Sequence, residues 1–382
     1  MAIDAPLPAN PARRRAIKAG AAVAAAGALG TGGLLAWRHL HAPGAQGIVS
    51  AATQRGQHLL VRMAADGAVT WQLPLPARAH GLATHAAHPG LAVVVARRPG
   101  TLAWLIDLAQ GRIVRTLPTQ TGRHYFGHAV FSPDGLHLLS TENDFENGAG
   151  KIGVRDAATG RWLGEVPSHG VGPHELRFMP GSDTLVIANG GVHTHPAQQR
   201  ENLNPDTMAP NLARVNWARQ QLIGIDTPVH HQLSVRHIDT TAQGSVVVAM
   251  QFEGPPQERA GLPLLALHRG AGLQTPDASA ATWAALGGYV GSVRASPAGD
   301  WAVATSPRGN AMVFWDLRHN RLLPPVPMHD VCGVCFSPAG DELMVSAGST
   351  ALRRFRREGE AWQAAGAVES AALQWDNHAD WL

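Results

Sequence analysis

Along most of the chain, apolar and polar residues alternate in short runs. Val331–Phe336 is one, strand-like runs such as Thr101–Ile106 and Arg112–Leu117 lie among them, and short apolar runs, His137–Thr141, Thr184–Ala188, Trp301–Thr305 and Glu342–Ser346, come between. A period of two is the mark of a β-strand, and no long stretch carries the 3.6-residue period of a helix. Two kinds of turn punctuate these runs. Phe131-Ser132-Pro133-Asp134-Gly135, Phe178-Met179-Pro180-Gly181, Ala295-Ser296-Pro297-Ala298-Gly299 and Phe336-Ser337-Pro338-Ala339-Gly340 are variants of one turn. Asp107–Gly111, Asp156–Gly160 and Asp316–Asn320 are variants of a second. Pro and Gly supply the dihedrals that such turns need. One repeating unit thus holds four short strands over roughly 40–60 residues, the period of a propeller blade.

First strands of successive units are expected near His80, His128, His174, Leu233, Gly291 and Cys332, with a seventh beginning near Ala371. That seventh unit has room for one strand before the chain ends. Three more, Ile48–Ala52, His58–Met63 and Val69–Leu75, are available at the other end. Pairing strands from both termini removes open edges. The expected fold is therefore all-β: a seven-bladed β-propeller over residues 47–382, its ring closed by strands from both termini. The two recurrent turns should share one face of the disc. The long and irregular connections should lie on the other.

Ahead of the repeats, Arg13-Arg14-Arg15-Ala16-Ile17-Lys18 precedes an uncharged run from Ala19 to Trp37. A basic segment followed by a weakly apolar one reads as an export signal. Arg13, Arg14, Ile17 and Lys18 follow the twin-arginine pattern. Residues 1–46 are expected to be a twin-arginine-type signal peptide, or an uncleaved membrane anchor, plus a linker. Either way the body would lie in the periplasm.

Composition changes the picture in one respect. The chain has 382 residues, only 15% of them charged, and a formal net charge of +3, part of it in the N-terminal segment. The body is near neutral, so nucleic acid is not an expected partner. Against 2 Cys and 2 Tyr stand 20 His. Imidazole is the commonest metal ligand and the usual proton carrier near neutral pH. The two cysteines form Cys332-Gly333-Val334-Cys335 within a strand-like run. Residues three apart on a strand point to opposite faces, so free thiols are expected rather than a disulfide.

Many of the histidines fall in the connections of the irregular face. His80, His128, His174 and His231 enter first strands and should ring the axis there, close to Glu142, Asp144 and Glu175. His124, His169, His193, His195 and Arg236 complete the candidate set. Such groups can hold a transition metal such as Fe, Cu or Zn, or can act as a general base. They can equally bond one another and trapped water along a polar channel. His58, His137, His268 and His319 lie outside these connections and are expected to be exposed. The chain lacks a Walker loop, a G-x-S-x-G elbow, an H-E-x-x-H helix and a C-x-x-C-H haem site.

The segments Arg98–Gly100, Gly122–Gly135, Thr141–Phe145, Ser168–Arg177, Asn189–Pro196, Leu203–Pro210, His231–His237, Tyr289–Val293, Ser306–Gly309 and Asp376-Asn377-His378 together resemble a bacterial family of exported propellers, a domain of unknown function. Its members have YVTN- or WD40-like propeller repeats, although the WD dipeptide pattern is missing here despite Trp315-Asp316. The family is often encoded beside imelysin-like proteins of iron uptake. The resemblance implies a periplasmic binding or assembly protein of iron or other metal acquisition, with a periplasmic or membrane protein of that system as partner. The alternatives are a metal-dependent oxidoreductase or hydrolase using the same His/carboxylate face, and a disc that only docks a partner.

Overall fold

Short strands separated by Gly- and Pro-bearing turns leave each sheet small, and the chain solves this by stacking sheets around an axis. The computed structural model describes residues 47–348, 351–369 and 373–382, all within the unit Gly47–Leu382. The leader expected over residues 1–46, with Arg13 and Arg14, lies outside the described residues, as does the strand start expected near Ala371.

Strands β1 (Gly47–Gln54), β2 (Gln57–Ala64) and β3 (Val69–Pro74) begin the first blade. The second is β4 (Ala79–Thr84), β5 (Leu91–Ala96), β6 (Leu102–Asp107) and β7 (Arg112–Pro118). The third is β8 (Arg123–Phe131), β9 (His137–Asp144), β10 (Ala149–Asp156) and β11 (Trp162–Pro167). The fourth is β12 (Pro173–Phe178), β13 (Thr184–Asn189), β14 (Asn211–Asn216) and β15 (Gln221–Asp226). β16 (Leu233–Thr240), β17 (Val246–Phe252) and β18 (Leu265–His268) form the fifth. β19 (Ser292–Ala295), β20 (Trp301–Ser306), β21 (Ala311–Asp316), β22 (Arg321–Leu322) and β23 (Val326–Pro327) form the sixth. The seventh is β24 (Val331–Phe336), β25 (Glu342–Ala347), β26 (Ala351–Glu358) and β27 (Ala361–Glu369). The last strand, β28 (Gln374–Trp381), returns to pair with β1.

These seven antiparallel sheets form a ring, with β4, β8, β12, β16, β19, β24 and β28 innermost and each beside the next. Closure follows the expected pattern of three strands plus one. Ile48 opposes Trp381 and Thr53 opposes Gln374, and Gly47 and Leu382 exchange backbone hydrogen bonds of 3.1 and 2.8 Å. Inner strands are buried on both sides, as in Leu233–Thr240, while outer strands such as Gln221–Asp226 are largely exposed. Between blades the apolar faces interlock: Val49 and Leu60 of the first pack with Val94 and Trp104 of the second.

Two blades depart from the four-strand unit. In the fifth, the stretch Gly270–Pro276 is rich in Gly and Pro and makes only an isolated bridge, Leu267 with Gln274. A short helix, α1 (Ala280–Ala285), capped by the Ser279 hydroxyl, fills the connection instead. In the sixth, Pro324-Pro325 splits the outer strand into β22 and β23, because proline cannot donate to the ladder. The glycine-rich run Gly148–Gly153, whose spacing is that of a dinucleotide-binding loop, falls in the β9–β10 hairpin and opens no helix. Both cysteines are free and buried. Cys332 faces the axial cavity and Cys335 packs in the apolar layer with Met344 and Trp375.

Candidate functional site

Five imidazoles meet on the axis, each from a different inner strand: His80 (β4), His128 (β8), His174 (β12), His237 (β16) and His378 (β28). A regular strand cannot present them all. The ladder slips between Ala79 and Leu82, between Tyr125 and Ala129, between Pro173 and Glu175, and between Val235 and His237. On the closing strand it jumps from Ala379 to Trp375, freeing Asp376, Asn377 and His378. A bulge takes residues out of the ladder and re-aims them, here toward the axis. Two glycines make room. A Cβ at Gly81 would lie 2.7 Å from His128 Nδ1, and one at Gly127, where φ is 116°, would lie 2.5 Å from the His80 ring.

The rings pack with centroids 4.5–5.9 Å apart. None of the five residues is more than 6% exposed. His80 Nε2 lies 3.4 Å from His174 Nε2. Two carboxylates orient the cluster. Asp376 Oδ1 sits 3.3 Å from His80 Nδ1, and Glu175 Oε2 sits 3.2 Å from His237 Nδ1. These contacts place a proton on each Nδ1 and leave each Nε2 lone pair turned inward. Both ring nitrogens of His378, Nε2 of His128 and Nδ1 of His174 are buried without a hydrogen-bond partner among the described residues.

Electrostatics keep the imidazoles neutral. Burial pulls the His80 pKa down to about 3, against the bond to Asp376. It holds His128, His174 and His378 well below the ordinary value and lowers His237 as well. Burial works against ionisation of Glu175 and Asp376, yet the charges around them win. Glu175 is held well below the usual carboxylate range by the Arg177 guanidinium at 2.9 Å and by the hydrogen bond with His237 Nδ1 at 3.2 Å. Asp376 is held low by Arg97 at 2.9 Å, by the bond to His80, and by Arg78 at 2.6 Å.

Three overlapping sets of three side chains could each hold a metal ion: His80–His128–His174, His80–His237–His378, and His128–Glu175–His237. Within each set the ligand atoms lie within 4.8 Å of one another. Imidazole donors of this kind suit Zn, Cu, Fe and Ni. The orphaned nitrogens fit such an ion, since coordination would satisfy them. Arg177 and Arg294 converge on Glu175 Oε1 at 2.9 and 3.7 Å, which makes the two all-histidine sets the better donors.

Above the cluster, toward the long connections, opens a cavity of about 690 Å³ lined by Arg78, Arg97, Arg98, Arg200, Arg308 and Tyr289 among others. A narrow throat of about 10 Å³ joins it to the histidines, with Arg98, Arg236 and Phe126 in its wall. At the opposite mouth, among the Ser-Pro turns, Arg294 pairs with Asp380 at 3.1 Å.

The candidates read from sequence divide accordingly. His80, His128, His174 and Glu175 belong to the cluster, and Arg236 lines its throat, paired with Glu253. Glu142 is not beside them. It is buried inside the third blade, 2.9 Å from Arg155 and accepting from the Ser140 hydroxyl at 2.7 Å. Asp144 pairs with Arg123 at 3.1 Å. His124 is buried against Phe126 and bonds Asn143 at 3.2 Å, its pKa lowered by burial to about 4. His193 and His195 lie in the long loop before β14, with His195 against Phe145. His169 sits partly exposed in a loop at φ 60°, and His231 is exposed, stacked on His230. His268, expected on the surface, is instead buried at the edge strand β18 of the fifth sheet, where its Nε2 lies 3.2 Å from Asp226 of the neighbouring blade.

His237, His378 and Asp376 were missing from the sequence-derived set. The signal was their place in inner strands: β16 begins two residues beyond His231, and the bulge at Arg236 turns His237 inward. His378 lies past the last apolar run, in a strand longer than the alternation suggests.

No curated protein matches the chain. Among solved structures, the hydrazine synthase of Kuenenia stuttgartiensis aligns with a TM-score of 0.56 at 14% identity, covering 84% of this chain and 91% of that one. At that identity the likeness is one of fold. A family match extends from residue 73 to residue 382, from the end of the first blade through the closing strand that carries Asp376 and His378. The chain belongs to this family, DUF1513, whose description is "protein of unknown function".

Proposed function

We propose that this propeller is a metal-binding protein, with a transition metal (Fe, Cu or Zn) held by the axial histidines. The observation that carries the reading is the cluster itself. Among the described residues, three overlapping ligand sets share one buried space, and four ring nitrogens in it have no hydrogen-bond partner. Left unmet, each such nitrogen would cost roughly 1–3 kcal/mol. An ion bound there repays that cost, and neutral imidazoles need lose no proton to bind it. His80 and His237, steered by Asp376 and Glu175, would ligate through Nε2 and His378 through either nitrogen. The carboxylates then serve as the outer layer that orients the ligands.

As an exported binding or assembly protein, it would act in iron or other metal acquisition beside a periplasmic or membrane partner. The cavity over the cluster favours a second reading, a metal-dependent oxidoreductase or hydrolase, because it offers room for a substrate. Elemental analysis of the protein purified from its native host tests the metal. Near-stoichiometric Fe, Cu or Zn is expected, with loss in a His237→Ala/His378→Ala double variant that stays folded. Metal-free native protein that, once chelated, also takes up none of the three ions would overturn the reading.

A further inference from the structure

The basic cavity poses a problem of its own, separate from the histidines beneath it. Arg98 is only 7% exposed, and neither its Nε nor its Nη1 has a hydrogen-bond partner among the described residues. Its guanidinium lies over the Phe126 ring, 5.4 Å from the centroid. It borders both the cavity and the throat. Two of the acids nearby are already engaged. Asp376 takes Arg97 and Arg78, and Glu253 takes Arg236. Asp330, also in the wall, has the Cys332 thiol 4.0 Å from its carboxylate Oδ1 and forms no ion pair with Arg98. Arg200 completes the same wall with no ion pair among the described residues.

An unpaired guanidinium held out of water is costly, and proteins that keep one have a counter-charge to offer it. We propose that the cavity is a binding site for a small, multiply charged oxyanion, a polycarboxylate or a phosphate, gripped by Arg98 and Arg200 with Arg97 beside them. Guanidinium forks match both kinds of oxyanion, donating two parallel N–H bonds to a pair of oxygens. A space of about 690 Å³ suits a small molecule. Tyr289, whose hydroxyl accepts from Asn377 Nδ2 at 2.6 Å, adds a polar wall, and Arg308 stacks on its ring at 4.9 Å. Burial and the neighbouring Arg236 and Arg200 already lower the pKa of Arg98, the response of a cation awaiting an anion.

The test is calorimetric titration of the full chain in low salt, as isolated and again after chelation, with citrate, inorganic phosphate and acetate. Because the arginines are not metal ligands, binding is expected in both preparations, which separates this site from the metal. Citrate or phosphate should bind one to one and at least tenfold tighter than acetate, and the tighter of the two assigns the class. Arg98→Met and Arg200→Met should each weaken binding at least tenfold. The ligand-free melting temperature of Arg98→Met should hold or rise, because an unpaired charge has been removed. Arg200→Met, on the surface, keeps the test alive if Arg98→Met does not fold. No preference over acetate, unchanged binding in both variants, or a lower ligand-free melting temperature for a folded Arg98→Met would overturn the proposal.

Discussion

Mild acid should destabilise the metal-free protein far more than its modest net charge suggests. Burial lowers the pKa of all five cluster imidazoles, His80 to about 3. They stay neutral in the fold, whereas in the unfolded chain each takes a proton as the pH drops through about 6.5. Their folded values are depressed, so stability is intact above about pH 6.5 and is lost as the pH falls toward the folded values. Between pH 7.5 and 5.5 each imidazole that stays neutral costs about 1.4 kcal/mol, so His80, His128, His174 and His378 together cost about 5.5 kcal/mol, and His237 adds in the same direction. That rivals the whole stability of an ordinary domain. His124, also buried and held near 4, adds to the loss. Asp376 and Glu175 do not offset it in this window, since a lowered carboxylate contributes stability that fades only below about pH 4. Urea unfolding at pH 7.5, 6.5 and 5.5 measures the effect, and the slope against pH gives the protons taken up on unfolding, about four to five at pH 5.5. His378→Phe should lower that number by about one. A saturating metal ion should restore stability, by about 2.7 kcal/mol at a hundredfold excess over Kd. Stability unchanged between pH 7.5 and 5.5 would refute the buried, neutral cluster.

Two further outcomes separate the site from its surroundings. Glu142→Ala should cost roughly 3–5 kcal/mol by leaving Arg155 buried and uncompensated, while metal content stays at the wild-type level; a matching loss of metal would put Glu142 in the site after all. Arg13→Lys together with Arg14→Lys should hold the protein in the cytoplasm if the leader uses the twin-arginine route, and an undiminished periplasmic fraction on cell fractionation would point to another.

How much of this was legible in the chain follows from the range of the forces involved. Turn chemistry and the period of two are local. Phe131–Gly135 and Phe336–Gly340 announce their hairpins through their own Pro and Gly, and counting such hairpins reaches seven blades and the closing pair β28–β1. Gathering the long connections on one face needs only the alternation of strand direction. That much placed His80, His128, His174 and Glu175 together.

Which side chain of an inner strand meets the axis was decided only by the tertiary structure. A one-residue slip turns a side chain to the opposite face, and bulges slip the ladder at His80, His128, His174, Arg236 and Asp376–His378. So His237 points inward while His231 remains in water, and Glu142, one residue from Thr141 in β9, finds Arg155 inside the blade. The arginine cavity was less legible still. Its walls come from connections as distant as Arg78, Arg98, Arg200 and Arg308. No local pattern marks residues whose one common property is that ring closure brings their charges to the same mouth.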